Sequence, residues 1–269
     1  MNQKICPGRP EMAEGEQKTR ALAASGAEIS DALTAAGKPV FYGVSTGPGD
    51  PELMTLKAVC CIEKAEVLAV PRTMKKHTMA LDIAAQAADI EGKEILYLDF
   101  SMSRDQEQRD REHRENAEKI VSCLQSGKTT AMLAIGDVSL YSTYGYVRGV
   151  VQEAGFPVET VAGVNSFSAA AAISGRMLTQ PDQPLMIIPE QYDDVEEALR
   201  FPGTKVVMKP GRDSALWKEQ LKNTGLLDDS AVVINCGLPD QACYAKAADA
   251  PEKTGYFTLV LVNSEEKAR

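Results

Sequence analysis

Histidine and tryptophan are scarce in this chain, with two histidines, His77 and His113, and one tryptophan, Trp217, among 269 residues. None of the six cysteines (Cys6, Cys60, Cys61, Cys123, Cys236, Cys243) lies in a Cys-x-x-Cys pair, and no cluster of histidines joins them. The spacing of zinc ligands is therefore absent, and a metal site is not expected. Scattered cysteines in a chain of this size suit a reducing compartment. No stretch approaches the roughly 18 to 20 consecutive apolar residues of a membrane span. The N-terminus has no apolar signal core, so a cytoplasmic protein is expected. Positive charge is also in deficit. Lys and Arg total 29 against 38 Asp and Glu, a formal net charge of −9. That balance argues against a generic binder of nucleic acid or of anionic membranes, which needs clustered cations. It leaves room for an acidic ligand held by one basic pocket.

What is present is ordinary globular composition, 44% hydrophobic and 25% charged. The length allows one large domain or two smaller ones with cores of their own. Residues 1–38 read as a peripheral extension, polar at first and Ala-rich over 18–36. From residue 39 the pattern alternates. Strands are expected at 39–44 (PVFYGV), 66–70, 94–100 and 131–135, with helices at 52–64, 77–90 and 104–124 and near 143–153. This alternation predicts a layered α/β domain over 39–154 with a largely parallel sheet. Gly155-Phe156-Pro157 reads as a boundary. A second α/β domain over 155–269 is expected from strands at 158–161, 184–188, 205–208, 231–235 and 255–263.

In open α/β sheets, ligands sit beyond the carboxyl ends of the strands, so the segments after each strand carry the functional signal. The first is Gly47-Pro48-Gly49-Asp50-Pro51, a stiff turn in which Asp50 can cap a helix begun by Pro51. A dinucleotide fingerprint fits poorly here. The third glycine is missing, and Val70 runs into Pro71 and Arg72 where an acid would stand. The second segment, Gly136 to Thr143 (GDVSLYST), offers backbone amides, hydroxyls and an aromatic ring, with Thr143 a possible helix cap. The third, Ala162 to Phe167 (AGVNSF), ends on Asn165 or Ser166 as a cap.

These three runs together resemble the signatures of the tetrapyrrole methylase family, and Val206 to Pro210 (VVMKP) resembles its Met-containing strand end. The likeness spans about residues 39–265. DFSMSRD at 99–105, NCGLPDQ at 235–241 and the closing GYFTLVLV resemble the branch that methylates carbon 20 of precorrin-2 or cobalt-factor II on the way to cobalamin. The sequence departs from the family pattern where Ser45 stands for Gly and where Val138 and Ala162 stand for Pro. A lost proline frees a backbone angle, so looser loops are expected.

The resemblance implies a methyl donor, S-adenosylmethionine, bound between two α/β domains largely by main-chain atoms. It assigns Pro48, Gly136, Asp137, Leu140, Asn165, Ser166, Met208, Cys236 and Gly237 to that cofactor. Asp50, Tyr141, Ser142, Thr143, Arg104 and Lys209 are the candidate contacts of a tetrapyrrole carrying about eight carboxylates, which call for Arg or Lys partners. Arg72 and Arg212 are further candidate cations. Asp50, Asp137 and Tyr141 are candidates for a base, and none is singled out. A homodimer is also implied. Three other readings stay open: a methyltransferase of the same fold acting on another ring carbon, RNA or protein, a non-catalytic cofactor-binding module, and a nucleotide-dependent oxidoreductase.

Overall fold

The computed structural model describes residues 37–72, 78–101, 105–189 and 192–262. The expected extension 1–38 falls almost wholly outside these residues, as do His77 and Arg104. The chain forms two compact units. The second unit consists of residues 164–269 together with two short segments from the first half, Thr46–Leu53 and Ile135–Asp137.

The first unit holds a five-stranded sheet built from β1 (Phe41–Ser45), β2 (Val67–Arg72), β3 (Glu94–Asp99), β4 (Thr130–Ala134) and β5 (Val158–Val161). Its order is β3-β2-β4-β1-β5, and every pair is parallel. The helices between the strands are α1 (Leu56–Lys64), α2 (Met79–Ala87), α3 (Gln106–Gln125) and α4 (Tyr144–Glu153). From β1 the chain moves two places one way, and from β4 two places the other. With right-handed crossovers the helices after β1 and β4 leave on opposite faces. Contacts agree, since α1 meets α2 while α3 packs along α4. The neighbours β1 and β4 are thus a topological switch point, the place where ligand-binding loops diverge in such sheets.

One core face is filled by Phe41, Leu98, Ile120, Leu124, Met132, Tyr144 and Val147. Gly43 is required there, because a Cβ at this position would lie 2.3 Å from the Tyr144 ring. The Tyr144 hydroxyl stands 3.0 Å from Thr160 Oγ1, which joins α4 to β5.

The second unit has a mixed sheet of β6 (Leu185–Pro189), β7 (Thr204–Met208), β8 (Ser230–Ile234), β9 (Ala242–Tyr244) and β10 (Thr258–Val262), in the order β6-β7-β10-β8-β9. β10 runs antiparallel to β7 and β8. On one face α6 (Val195–Leu199) and α7 (Ser214–Asn223) close a core of Ile188, Leu199, Val207, Trp217, Leu221, Val232 and Val260. Trp217 is buried here as the anchor of an amphipathic helix. On the other face α5 (Ser166–Ser174) packs against β8, β9 and β10, its run of alanines allowing close approach.

Three local differences from the sequence reading have simple causes. The strand at 158–161 pairs with β1 in the first sheet, so Gly155-Phe156-Pro157 is a turn within the first unit and the passage to the second follows Gly163. Gly and Pro mark a reversal of the chain, not a change of sheet. The expected helix 52–64 breaks into a 3₁₀ turn, Pro51–Leu53, and α1, because the Thr55 hydroxyl accepts from the Ala58 N–H at 3.2 Å and starts a new helix. β9 is three residues long, too short to carry a period.

Candidate functional site

The candidate residues within each unit follow the carboxyl ends of strands. Within the second unit, the segment after β1 meets the segment after β4 through a bridge between Gly47 and Gly136, with Gly136 N–H donating to Gly47 O at 2.7 Å. Both glycines have left-handed backbone, φ 72° and 74°. A Cβ on Gly136 would meet nothing within 4 Å, so the main chain there borders open space. Gly136 is needed for its angle, and although the residue is buried there is room where a side chain would stand.

Pro48 follows and is buried. Gly49 then presses against the loop after β8, where a Cβ would lie 2.6 Å from Cys236 O. Reciprocally, Gly237 has φ 77°, and its Cβ would lie 2.6 Å from Asp50 N. Two backbones thus cross with no side chain between them, which is why both positions are glycine. Asp50 is occupied locally. Its carboxylate accepts from Glu52 N–H at 2.9 Å and its carbonyl from Leu53 N–H at 3.0 Å, capping the 3₁₀ turn.

The loop after β8 is locked by its own side chains. Asn235 Nδ2 donates to Asp240 Oδ2 at 2.7 Å, and Gly237 N–H donates to Gln241 Oε1 at 2.8 Å. The NCGLPDQ run is therefore a self-closed loop that presents Cys236 and Gly237. Cys236 Sγ lies 3.7 Å from Ser166 O, tying this loop to the start of α5. Burial pushes its thiol up to about 11, so it stays protonated at neutral pH. Asn165 takes the N-cap position of α5 through its carbonyl, which accepts from Ser168 and Ala169, while its side chain makes no capping bond. Its amide is not spent on the helix. Met208 ends β7 opposite Leu259 of β10, and Lys209 follows it.

The second unit thus unites Pro48, Asp50, Gly136, Asp137, Asn165, Ser166, Met208, Lys209, Cys236 and Gly237. Leu140, Tyr141, Ser142 and Thr143 belong to the first unit. There Ser142 takes the capping role expected of Thr143. Its hydroxyl accepts from Tyr144 N–H at 3.2 Å, whereas Thr143 makes no side-chain cap. Tyr141 is 56% exposed with φ 50°. Of the other candidate cations, Arg72 is committed to Asp99 by two hydrogen bonds of 2.5 and 3.0 Å. That guanidinium holds the Asp99 carboxyl below its ordinary value. Arg212 is exposed.

Sequence reasoning passed over Ser45 as a site residue. Its buried hydroxyl donates to Val161 O at 2.6 Å and accepts from Val138 N–H at 2.9 Å, fastening the ends of β1 and β5 to the loop after β4. The residue directly after β7 and the residue directly after β8, Lys209 and Asn235, both have left-handed backbone, and no sequence pattern announces it.

The sequence model of the tetrapyrrole (corrin/porphyrin) methylases matches residues 40–251. The precorrin-2 C(20)-methyltransferase of Sinorhizobium sp is 30% identical over 231 residues, 82% of this chain and 94% of that protein. The cobalt-precorrin-2 C(20)-methyltransferase of Salmonella typhimurium is 29% identical over 234 residues, 84% of this chain and 96% of its own. Among solved structures, the uroporphyrin-III C-methyltransferase of Thermus thermophilus in complex with S-adenosyl homocysteine is similar at a TM-score of 0.61. It shares 22% identity and covers 86% of this chain and 96% of its own. That last likeness is one of fold.

Proposed function

Because this chain belongs to the tetrapyrrole (corrin/porphyrin) methylases, we propose that it transfers a methyl group from S-adenosylmethionine to carbon 20 of precorrin-2 or its cobalt-bearing counterpart. The observation that carries the choice of carbon is the pair of relatives named for C(20) methylation, each aligned over more than 80% of this chain.

The residues of the site fit such a donor. A main-chain site suits an adenosyl and amino-acid ligand, whose polar edges are met by N–H and C=O groups. The room beside the Gly136 main chain and the unspent amide of Asn165 support that reading. Pro48, Met208, Cys236, Gly237 and Ser166, which belong to the same unit, are proposed to contact the donor as well. Asp137 suits a ribose hydroxyl or an amino group, and Leu140 continues the same loop in the first unit.

The donor, when bound, supplies a methyl already activated by a sulfonium. What remains for the protein is alignment and exclusion of water. The glycine crossing serves that alignment by backbone contacts that rotamer changes cannot relax, and the buried Ser45 hydroxyl adds a hydrogen bond from Val138 N–H. Asp50, Tyr141, Ser142, Thr143, Arg104 and Lys209 remain the proposed substrate contacts, with the Asp50 carboxylate already engaged in its cap.

The same reading takes the protein to be a cytoplasmic homodimer. The described cysteines are free, and no helix among the described residues is long and apolar enough to cross a membrane. Light scattering after size exclusion tests the dimer. Methyl transfer is tested with labelled S-adenosylmethionine and both tetrapyrroles side by side, following product mass. A gain of one methyl on either substrate supports the reading, and the faster substrate assigns the metal state. Cofactor binding without methylation of either overturns the C(20) assignment.

A further inference from the structure

A second structural device stands at the end of β7, and it deepens the reading of the site as one for a polycarboxylate tetrapyrrole, on which it rests. β10 enters the second sheet antiparallel to both neighbours, so its first residues lie where β7 and β8 finish. Both neighbours turn there through left-handed backbone, Lys209 at φ 55° and Asn235 at φ 52°. Lys209 N–H donates to Thr258 O and Asn235 N–H to Phe257 O, each at 2.9 Å. Phe257 and Thr258, directly after Tyr256, are therefore held between two left-handed turns. Asparagine tolerates this region, but lysine rarely adopts it, and a following proline, here Pro210, narrows its choices further.

Such strain persists where the surroundings over-determine it, and it clusters at ligand sites. At Lys209 its consequence is the position of the ammonium, which lies 4.7 Å from the centre of the Tyr256 ring. That ring is braced edge-on by Phe257 at 5.1 Å and 78°. Among the described residues no Asp or Glu forms an ion pair with Lys209, whereas Arg72, Lys57 and Lys128 each have one. A ring face attracts a cation without cancelling its charge.

We propose that Lys209 is a carboxylate anchor of the site and that Tyr256 is its positioning residue, holding the ammonium in place while leaving its charge for a ligand. The carboxylate can belong to the tetrapyrrole or to the amino-acid end of S-adenosylmethionine, and we assign it to the tetrapyrrole.

The test uses the full chain and three variants, Lys209→Gln, Tyr256→Leu and Tyr256→Phe. For each, kcat and KM for the tetrapyrrole are measured alongside the Kd of S-adenosylhomocysteine by calorimetry, with circular dichroism to verify folding. Loss of a charge-assisted contact predicts a KM raised about tenfold in Lys209→Gln and severalfold in Tyr256→Leu, with kcat and the Kd nearly unchanged. Tyr256→Phe keeps the ring face and should behave as wild type, a rescue that a hydroxyl-dependent structural role would not give. A raised Kd with unchanged KM assigns the carboxylate to the cofactor and overturns our choice of source. Unchanged constants in Lys209→Gln overturn the anchor. An impaired Tyr256→Phe overturns the positioning role, and because that change keeps ring and volume, this holds even where Tyr256→Leu fails to fold. Failure of the wild type to methylate any tetrapyrrole would instead sink the functional reading itself.

Discussion

The hydroxyl of Ser45 lies 2.9 Å from the backbone nitrogen of Val138, tying the end of β1 to the loop after β4. The same hydroxyl donates to Val161 O at 2.6 Å and is wholly buried. Ser45→Ala leaves a buried N–H and a buried carbonyl without their partner. The expected loss is about 1–3 kcal/mol of stability. Urea unfolding should show a lower midpoint with an unchanged slope. A midpoint equal to wild type would mean that the loop relaxes freely and that the tie contributes nothing.

This pair also shows where sequence reasoning stops. Read in sequence, Ser45 and Val138 are two separate departures from the family pattern, and only a loosened loop is expected, from the proline lost at 138. In the structure they act together, because a residue other than proline at 138 has an N–H and a serine at 45 has an acceptor for it. Strands of continuous apolar residues, such as FYGVS and TLVLV, were legible because burial on both faces dictates them. The glycine-bearing loops were legible from their position after strands. Pairing partners were not, since Gly49 meets Gly237 across 188 positions of sequence, a contact that only the fold creates. Nor was the sharing of loops between units, for the segment Thr46–Leu53 sits in the sequence of the first half and in the contacts of the second.

The glycine crossing predicts opposite signs for one chemical change at two places. Gly49→Ala places a methyl 2.6 Å from Cys236 O, and Gly237→Ala adds a disfavoured angle to a clash with Asp50 N. Both should lower the melting temperature and weaken S-adenosylhomocysteine binding at least tenfold by forcing the two segments apart. Gly149 lies within α4, and a Cβ there meets nothing within 4 Å. Gly149→Ala should therefore stabilise the protein by about 0.5–1 kcal/mol with no effect on binding. Tight ligand binding by Gly49→Ala would show that the crossing is not part of the site.

Burial sets the behaviour of two thiols. Cys61 is pushed up to about 12 and Cys236 to about 11 from an ordinary 9.0. A raised folded-state value favours the protonated, folded form. The associated stability is complete below pH 9 and declines as pH climbs toward 11 and 12. The urea midpoint should fall over that interval, and more shallowly in a Cys61→Ala, Cys236→Ala double variant. At pH 8 a thiol reagent should modify exposed Cys243 quickly and reach Cys61 and Cys236 only after unfolding. Rapid native-state labelling of Cys236 would contradict its burial and the protonated state argued for it.

Tyr141 separates strain from function. Its backbone is left-handed at φ 50° although its ring is 56% exposed, so the conformation costs free energy that little burial offsets. The neighbouring cap, Ser142 to Tyr144, holds the turn in place regardless of the side chain at 141. Asparagine adopts this angle readily. Tyr141→Asn should therefore leave stability equal or raise it by up to about 1 kcal/mol. If the ring is retained for contact with the tetrapyrrole, the same variant should raise KM for that substrate severalfold while the Kd of S-adenosylhomocysteine stays fixed. Calorimetric melting and steady-state kinetics on one preparation read both quantities. A variant that is more stable and equally active would remove Tyr141 from the substrate contacts, and one that is less stable would give the ring a packing role instead.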